Sequence, residues 1–507
     1  MNSRSDDAGC CSSGERDRAA RLDKLSRLRA LNIDPYPASW QRTHQAAEVL
    51  KLAEAQMSAA GSPGEMGQTV AVAGRVMSRR QHGKTEFWHI QDGSGRIQLY
   101  LRRDVLGEEV FNRLDLVDMG DIVGASGEVF KTRTGETTVN VRTLVFLAKS
   151  LRPLPEKFHG LKDIETRYRQ RYLDLIVNAD SKRVFLLRAR LTGLIRRFLD
   201  ERGFVEVETP ILQPIYGGAA ARPFETFCNA LEQKMFLRIA DELYLKRLVV
   251  GGMERVYEIG KDFRNEGVDR FHNPEFTQLE LYCAYADYND MMVLVEELFR
   301  FLALELTGKT AVSFGGQLLD FGRPWARVKF VEALAERTGE NPLRLSREQL
   351  IRVAARCGIE TDQQISHAKL LDKLFSELVQ EQLTEPTFVV DYPKITTPLA
   401  KVHRDNPELV ERFEPVVCGM ELGNAFSELN DPIEQRERFE EAVRQNEEYA
   451  TVDEDYCAAL EHGMPPTGGL GLGIDRLTML FADAGSIRDV ILFPQLRARS
   501  DGKDTGE

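Results

Sequence analysis

The residue types able to do chemistry in this chain fall into three blocks, and none is a nucleophile set beside a base. The first is Phe263-Arg264-Asn265-Glu266-Gly267, followed by His272-Asn273-Pro274-Glu275-Phe276 and then Glu280. Strand alternation puts Arg264 and Glu266 on one face, and Phe276 and Glu280 on one face of the return strand. An arginine beside a carboxylate is more often a structural ion pair than a phosphate clamp. A ring able to stack on a base and a histidine in the connecting loop tilt the balance toward a nucleotide.

The second block is Gly468-Gly469-Leu470-Gly471-Leu472-Gly473-Ile474-Asp475-Arg476. It is not a dinucleotide fingerprint, because the last glycine of G-x-G-x-x-G would fall at Arg476. Gly308-Lys309-Thr310 is not a P-loop, since Ala303 stands where glycine is required. Spaced glycines running into an arginine describe a strand-to-helix joint that lets a ligand approach backbone and meet a guanidinium. The third block is acidic: Glu414, Glu421, Asn424, Phe426 and Glu428, interleaved with Phe413, Val416, Val417 and Leu422. That interleaving predicts a buried strand pair, and buried carboxylates need a cation. Hard oxygens at Glu414 and Glu421 suit Mg²⁺ carrying a triphosphate.

Several elements must position these blocks. A helix from a Ser181 cap to Arg202 is predicted, with Leu187, Leu191, Leu194, Ile195 and Phe198 on one face and Gly203 past its end. A strand over Phe204–Val207 follows and stops at Thr209-Pro210. Residues 326–384 read as a helical insertion. Earlier in the chain, short β-rich runs at 70–76, 87–91, 95–101, 122–130 and 137–147 predict a five-stranded barrel of the oligonucleotide-binding (OB) type. Leu151–Pro155 reads as a linker. Residues 16–29 predict a basic helix packed by Leu22, Leu25 and Leu28. Met1–Gly14 reads as a short disordered lead without a secretory h-region. The expected divisions are 1–67 (lead and helices), 68–150 (barrel) and 151–500 (catalytic body), an α+β multidomain chain.

The 507 residues carry 67 basic and 79 acidic side chains, a net charge of −12. Residues 1–150 hold 21 Lys+Arg against 19 Asp+Glu, so the remainder carries −14. A polyanion is therefore expected at the N-terminal third, and a cationic ligand in the rest. No apolar run reaches the ~18 residues of a membrane helix. Seven cysteines without a C-x-x-C pair fit reduced thiols and a cytoplasmic location.

The three blocks, together with Arg202–Leu212, resemble in order the signature motifs of class II aminoacyl-tRNA synthetases. The resemblance runs from Arg21 to Pro494 and is nearest to the bacterial lysyl enzymes of subclass IIb. It rests there on Gly217–Phe224, on Glu242-Leu243-Tyr244-Leu245-Lys246-Arg247 and on Gly423–Asp431. It implies an N-terminal OB barrel and a catalytic domain built on an antiparallel sheet flanked by helices. It also implies a homodimer through residues 181–212, with no membrane association. The implied activity joins L-lysine to ATP as lysyl-adenylate and passes it to the terminal ribose of tRNA(Lys). Arg264 and Arg476 would be the catalytic cations. Glu266, His272, Phe276, Arg476, Gly471 and Gly473 would hold ATP. Gly218, Glu242, Arg264, Glu280, Tyr282, Asn424 and Glu428 would hold lysine, and Glu414 and Glu421 would bind two or three Mg²⁺. Arg80, Phe87, Gln98 and Glu136 would read the anticodon.

Five positions make four departures from the family pattern: Phe227-Cys228 replace two histidines, Asp241 a proline, Met420 an arginine and Ala425 a glycine. Three rivals fit less well. A protein-modifying lysine ligase lacks the barrel, an aspartyl or asparaginyl enzyme does not suit Glu242 and Glu428, and an inactive RNA-binding relative would have lost Arg264, Glu266 or Arg476.

Overall fold

The computed structural model describes residues 7–57, 67–155, 161–362, 364–444 and 451–498. In the first segment, side chains are described from Glu15 to Ala55. The chain forms two compact units, 1–160 and 161–507.

In the first unit, helices α1 (Asp7–Ala30) and α2 (Ala46–Met57) precede strands β1 (Thr69–His82), β2 (Thr85–Gln91), β3 (Arg96–Arg102), β4 (Ile122–Lys131) and β5 (Thr137–Ala148). The strands close a barrel in the order β1-β2-β3-β5-β4. Period-two alternation drives the closure: Trp88 and Ile90 of β2 point inward with Leu99, Val123, Val139 and Val141. A register shift between Val76 and Ser78 lets β1 pair with both neighbours. Helix α1 starts at Asp7, inside the stretch expected to be a disordered lead. Once residues 15–30 are docked, adding further turns requires no new nucleation. Residues 1–6 lie outside the described segments. Leu25 and Leu28 are buried, Lys24 pairs with Asp118 at 2.6 Å, and Arg21 donates to the Ser150 carbonyl. The leucine stripe thus packs, and two of the helix's cations are used internally.

The second unit contains α3 (Ala179–Asp200), β6 (Val205–Glu206), α4 (Glu242–Val250), β7 (Arg255–Phe263), β8 (Glu275–Ala284) and α5 (Tyr288–Thr307). These are followed by β9 (Ala326–Lys329), α6 (Phe330–Thr338), α7 (Arg347–Arg356), α8 (His367–Leu378), β10 (Thr387–Pro393), β11 (Asn406–Val417) and β12 (Gly423–Ser427). The unit ends with α9 (Glu454–Glu461), β13 (Thr467–Gly473) and α10 (Ile474–Ala482). The sheet order is β9-β10-β11-β12-β13-β8-β7-β6. It is antiparallel except at its two edges, where β9 pairs with β10 and β6 with β7 in parallel. Helix α3 begins after Asn178, whose side chain makes no capping bond, and Ser181 lies inside the helix, its hydroxyl accepting from Arg167 at 3.1 Å. Gly203 follows the helix with φ +77°, a conformation glycine adopts without strain.

Alternation gives the sheet two faces. Leu279 and Leu281 of β8, Leu470 and Leu472 of β13, and Phe413 and Val417 of β11 pack under α3, α5 and α10. Each fully buried leucine contributes about 1.5–3 kcal/mol. The alternate positions, Phe276, Gln278, Glu280 and Tyr282 on β8 and Gly469, Gly471 and Gly473 on β13, face the opposite side. No described helix is long and apolar enough to cross a membrane.

Candidate active site

That opposite face floors a cleft of about 1120 Å³, walled by α4, by the 217–220 loop and by residues of α7 and α8. The glycines make the floor bare. Cross-strand register sets Gly473 against Gln278, Gly471 against Glu280 and Gly469 against Tyr282. Asn424 and Phe426 flank Gly471 and Gly469 from β12. Along β8 the order is therefore Phe276, Gln278, Glu280, Tyr282, a span of about 20 Å at 3.3 Å per residue.

The Phe276 end is cationic. The Arg264 guanidinium lies 5.1 Å from the Phe276 ring centroid, within cation–π reach. β7 ends at Phe263, so Arg264 and Glu266 are in a loop and not on one face of a strand as expected. The Arg264 amide still bonds the Pro274 carbonyl in register at 2.8 Å, but proline has no N–H to return, and the next amide, of Asn265, goes to the Arg222 carbonyl at 2.8 Å, so the ladder stops there. Arg476 projects from the first turn of α10, as the glycine run predicts. It donates to the Glu421 carbonyl at 2.6 Å, and its Nη2 lies 3.1 Å from His272 Nε2. His272 Nδ1 meets Asp269 at 2.8 Å, and hydrogen bonds from the Phe271 and His272 amides outweigh burial and hold the Asp269 carboxyl low.

Glu421 lines the cleft and is partly exposed, whereas Glu414 is buried and is not among the lining residues. Burial, then the charge of Glu421, pushes Glu414 up to about 7. Arg412, which the sequence reading passed over, joins this group to the floor. It donates to Glu414 at 2.6 Å and to Asn424 at 2.8 Å, and stacks 4.3 Å from the Tyr392 ring centroid.

The Tyr282 end is acidic. Glu280 accepts from Gln278 at 2.9 Å and from the Tyr282 hydroxyl at 3.1 Å. Gly218 has φ +86°, and a Cβ there would lie 3.2 Å from that of Glu242, so glycine is needed twice over. Lys246, one turn after Glu242 on α4, is fully buried, 2.5 Å from Glu242 and also paired with Glu428. The i, i+4 spacing of Glu242 and Lys246 on a helix could have flagged that contact; the Glu428 contact had no sequence signal.

Of the four departures, Asp241 is the one that alters this end. Phe227 and Cys228 lie on strand Phe224–Cys228, outside the cleft lining. Met420 and Ala425 are in the core. Asp241, Asp262 and Glu280 bring carboxylate oxygens within 4.8 Å of one another, all buried. Burial, then the charge of Asp262, raises Asp241 to about 8. Burial raises Asp262 to about 6, against the pull of Arg238 and Arg264. Burial and both aspartates push Glu280 well up. Arg238 pairs with Asp262 at 3.0 Å and Glu258 at 2.6 Å. Arg238 is thus the cation in direct contact with the group, with Arg264 acting on Asp262 from further away.

On the barrel, Phe87, His89, Gln98 and Tyr100 share the outer face of β2 and β3. Phe87 stacks on Tyr100 with centroids 4.6 Å apart. Glu136 accepts from Gln98 and meets His89, both at 2.7 Å. Phe87, Gln98 and Glu136 are therefore brought together. Arg80 lies opposite Phe87 on β1, exposed. His89 and Tyr100 were missed, although period two from Phe87 and Gln98 points to both.

Residues 163–497 match the family of class II tRNA synthetases for D, K and N, and residues 70–147 match the OB-fold nucleic acid binding domain. A class II synthetase body joined to an anticodon-type OB barrel is the class that this fold and cleft define. The lysine–tRNA ligase of Roseiflexus castenholzii is 57% identical over 94% of this chain and 98% of its own length. Those of Chloroflexus aurantiacus (52%, over 95% and 98%) and Carboxydothermus hydrogenoformans (51%, over 94% and 97%) are similar throughout as well. The chain belongs to the lysine–tRNA ligase family, and it is a ligase.

Proposed function

We propose that the enzyme activates L-lysine with ATP and then charges tRNA(Lys) in two steps. The observation that carries this reading is the polarity of the cleft: Arg264, His272 and Arg476 at one end, Glu242, Glu280 and Glu428 at the other, with bare glycines between. A diammonium acid laid along that floor puts its side-chain ammonium among carboxylates and its carboxylate toward the arginines. In the first step a lysine carboxylate oxygen attacks the α-phosphorus, and pyrophosphate leaves. In the second, the 3′-terminal adenosine hydroxyl attacks the lysyl carbonyl, and AMP leaves. Both steps need positioning and charge stabilisation more than a protein nucleophile.

Arg264 spans the lysine carboxylate and the α-phosphate, and Phe276 stacks on the adenine. Glu266 accepts from the adenine amino group. Arg476 and His272 meet the outer phosphates, and Gly471 and Gly473 leave room for the nucleotide. Glu242 and the Gly218 backbone hold the α-ammonium, Glu428 and Tyr282 the ε-ammonium, and Asn424 the carboxylate. Glu280 completes the acidic pocket, which repels aspartate. Glu414 and Glu421 suit Mg²⁺, since burial and the neighbouring Glu421 push the Glu414 carboxyl up and a hard cation would draw it back to its charged form. Bound there with ATP, Mg²⁺ would spread the phosphate charge.

Phe87, Gln98, Glu136 and Arg80 read the anticodon by stacking and hydrogen bonding. A homodimer through 181–212 is supported by Leu186, Val205, Ile211 and Leu212, apolar side chains exposed at or near the β6 edge. The decisive experiment is ATP–pyrophosphate exchange across the amino acids. Exchange dependent on lysine is expected, and its absence, or stronger exchange with aspartate, overturns the reading.

A further inference from the structure

Lys246 is a cation buried in a pocket that, on the reading above, exists to bind a cationic amino acid. Its ammonium takes Oε1 of Glu242 and Oε2 of Glu428. The rings of Phe426 and Tyr282, centred 5.6 and 5.8 Å away, complete its cage. What it leaves over is specific. Glu242 Oε2 faces Gly218, 3.8 Å from where a Cβ would stand. Glu428 Oε1 faces Gly469 and the Tyr282 ring. These are the two places assigned to the α- and ε-ammonium groups.

We propose that Lys246 is a positioning residue of the lysine pocket: by committing one oxygen of Glu242 and one of Glu428, it fixes the spacing of the two oxygens left for the substrate's ammonium groups. The pocket then measures the number of methylenes between them. This inference rests on the pocket assignment given above.

Charge counting supports it. The groups facing this ammonium are Glu242 on its own helix, Glu428 beyond β12, Tyr282 with Glu280 behind it on β8, and Tyr456 on α9. Arg247 turns aside to Asp453 at 2.9 Å. Burial pushes both carboxyls up, Glu428 to about 8, and the Lys246 ammonium is the main pull in the other direction. Without it both move further toward the neutral acid, which binds ammonium poorly.

Lysine-dependent ATP–pyrophosphate exchange over a range of pH, with ornithine as the shorter competitor, tests this in Lys246→Met. The KM for lysine rises at least about tenfold with a smaller change in kcat. The acid limb of kcat/KM moves up by about 1–3 pH units. The preference for lysine over ornithine falls. A purely structural lysine would lower the melting temperature and leave the acid limb and that preference alone, an outcome that overturns the proposal. If Lys246→Met does not fold, Lys246→Gln keeps hydrogen bonds to both carboxylates without the charge, and the same shifts are expected and the same outcome decides. Glu428→Gln separates the two failures. If it too leaves the lysine KM unchanged, the pocket reading falls; if it raises KM while the Lys246 variants match wild type, only this inference falls.

Discussion

A Cβ on Gly469 would stand 1.9 Å from Oε1 of Glu428 and 2.7 Å from Cε1 of Tyr282. The glycine of one strand is therefore the space in which a carboxylate from the end of the neighbouring strand lies. Gly469→Ala must push that carboxylate aside. Overpacking of this kind costs about 1–3 kcal/mol, so the lysine KM in exchange assays is expected to rise about 5–150-fold. An unchanged KM would remove Glu428 from the pocket.

Glu428→Gln keeps the volume and removes the charge. Breaking a buried ion pair by neutralising one partner costs about 3–5 kcal/mol, so lysine-dependent kcat/KM is expected to fall about 100-fold or more. Discrimination against neutral amino acids should narrow with it. Exchange kinetics with lysine and with methionine measure both.

Asp241 supplies a pH dependence. Its folded value of about 8 lies above the ordinary 3.8, because burial and then Asp262 oppose its charge. The folded state keeps this proton over a range where the unfolded chain has lost it, so stability falls as pH rises from about 4 toward 8. Asp241→Asn removes that penalty. The variant is expected to be more stable than wild type at pH 8, by an amount of order a few kcal/mol, with the gap nearly closed at pH 4. Thermal melts at the two pH values check the sign.

Phe87→Ala removes the outermost ring of the Phe87–Tyr100 stack. Loss of one base–aromatic contact of about 1–3 kcal/mol raises the KM for tRNA about 5–150-fold. Comparing the tRNA KM with the lysine KM in tRNA-free exchange locates the defect on the barrel.

For the dimer, light scattering on the wild type should give twice 57.4 kDa. Val205→Glu places a charge on the exposed β6 edge and is expected to move the mass toward that of one chain.

Much of this protein can be read in one dimension because its signals are local. Alternation in β2 and β3 marks the barrel wall, and Gly469, Gly471 and Gly473 at spacing two mark one bare face of a strand. Glu414 among apolar neighbours marks a buried carboxylate, whereas Glu421, read the same way, is partly exposed.

Where the reading strayed, a distant residue decided. Ser181 lies inside the helix, where Arg167 claims its hydroxyl. The strand stops short of Arg264 because Pro274 opposite it has no N–H to return and the Asn265 amide goes to the Arg222 carbonyl. Arg412 mattered because two neighbouring strands set Asn424 and Glu414 around it.

The sequence by itself determined which elements form, which of their faces are buried and which family the motifs indicate, since propensity, alternation and glycine spacing act within a few residues. Only the tertiary structure decided the partners of the buried charges. Lys246 and Glu428 are 182 positions apart, Asp241 and Glu280 are 39 apart, and their meeting depends on strand register and helix docking. A desolvated charge takes its energy from whatever lies within a few ångströms, which sequence spacing does not encode.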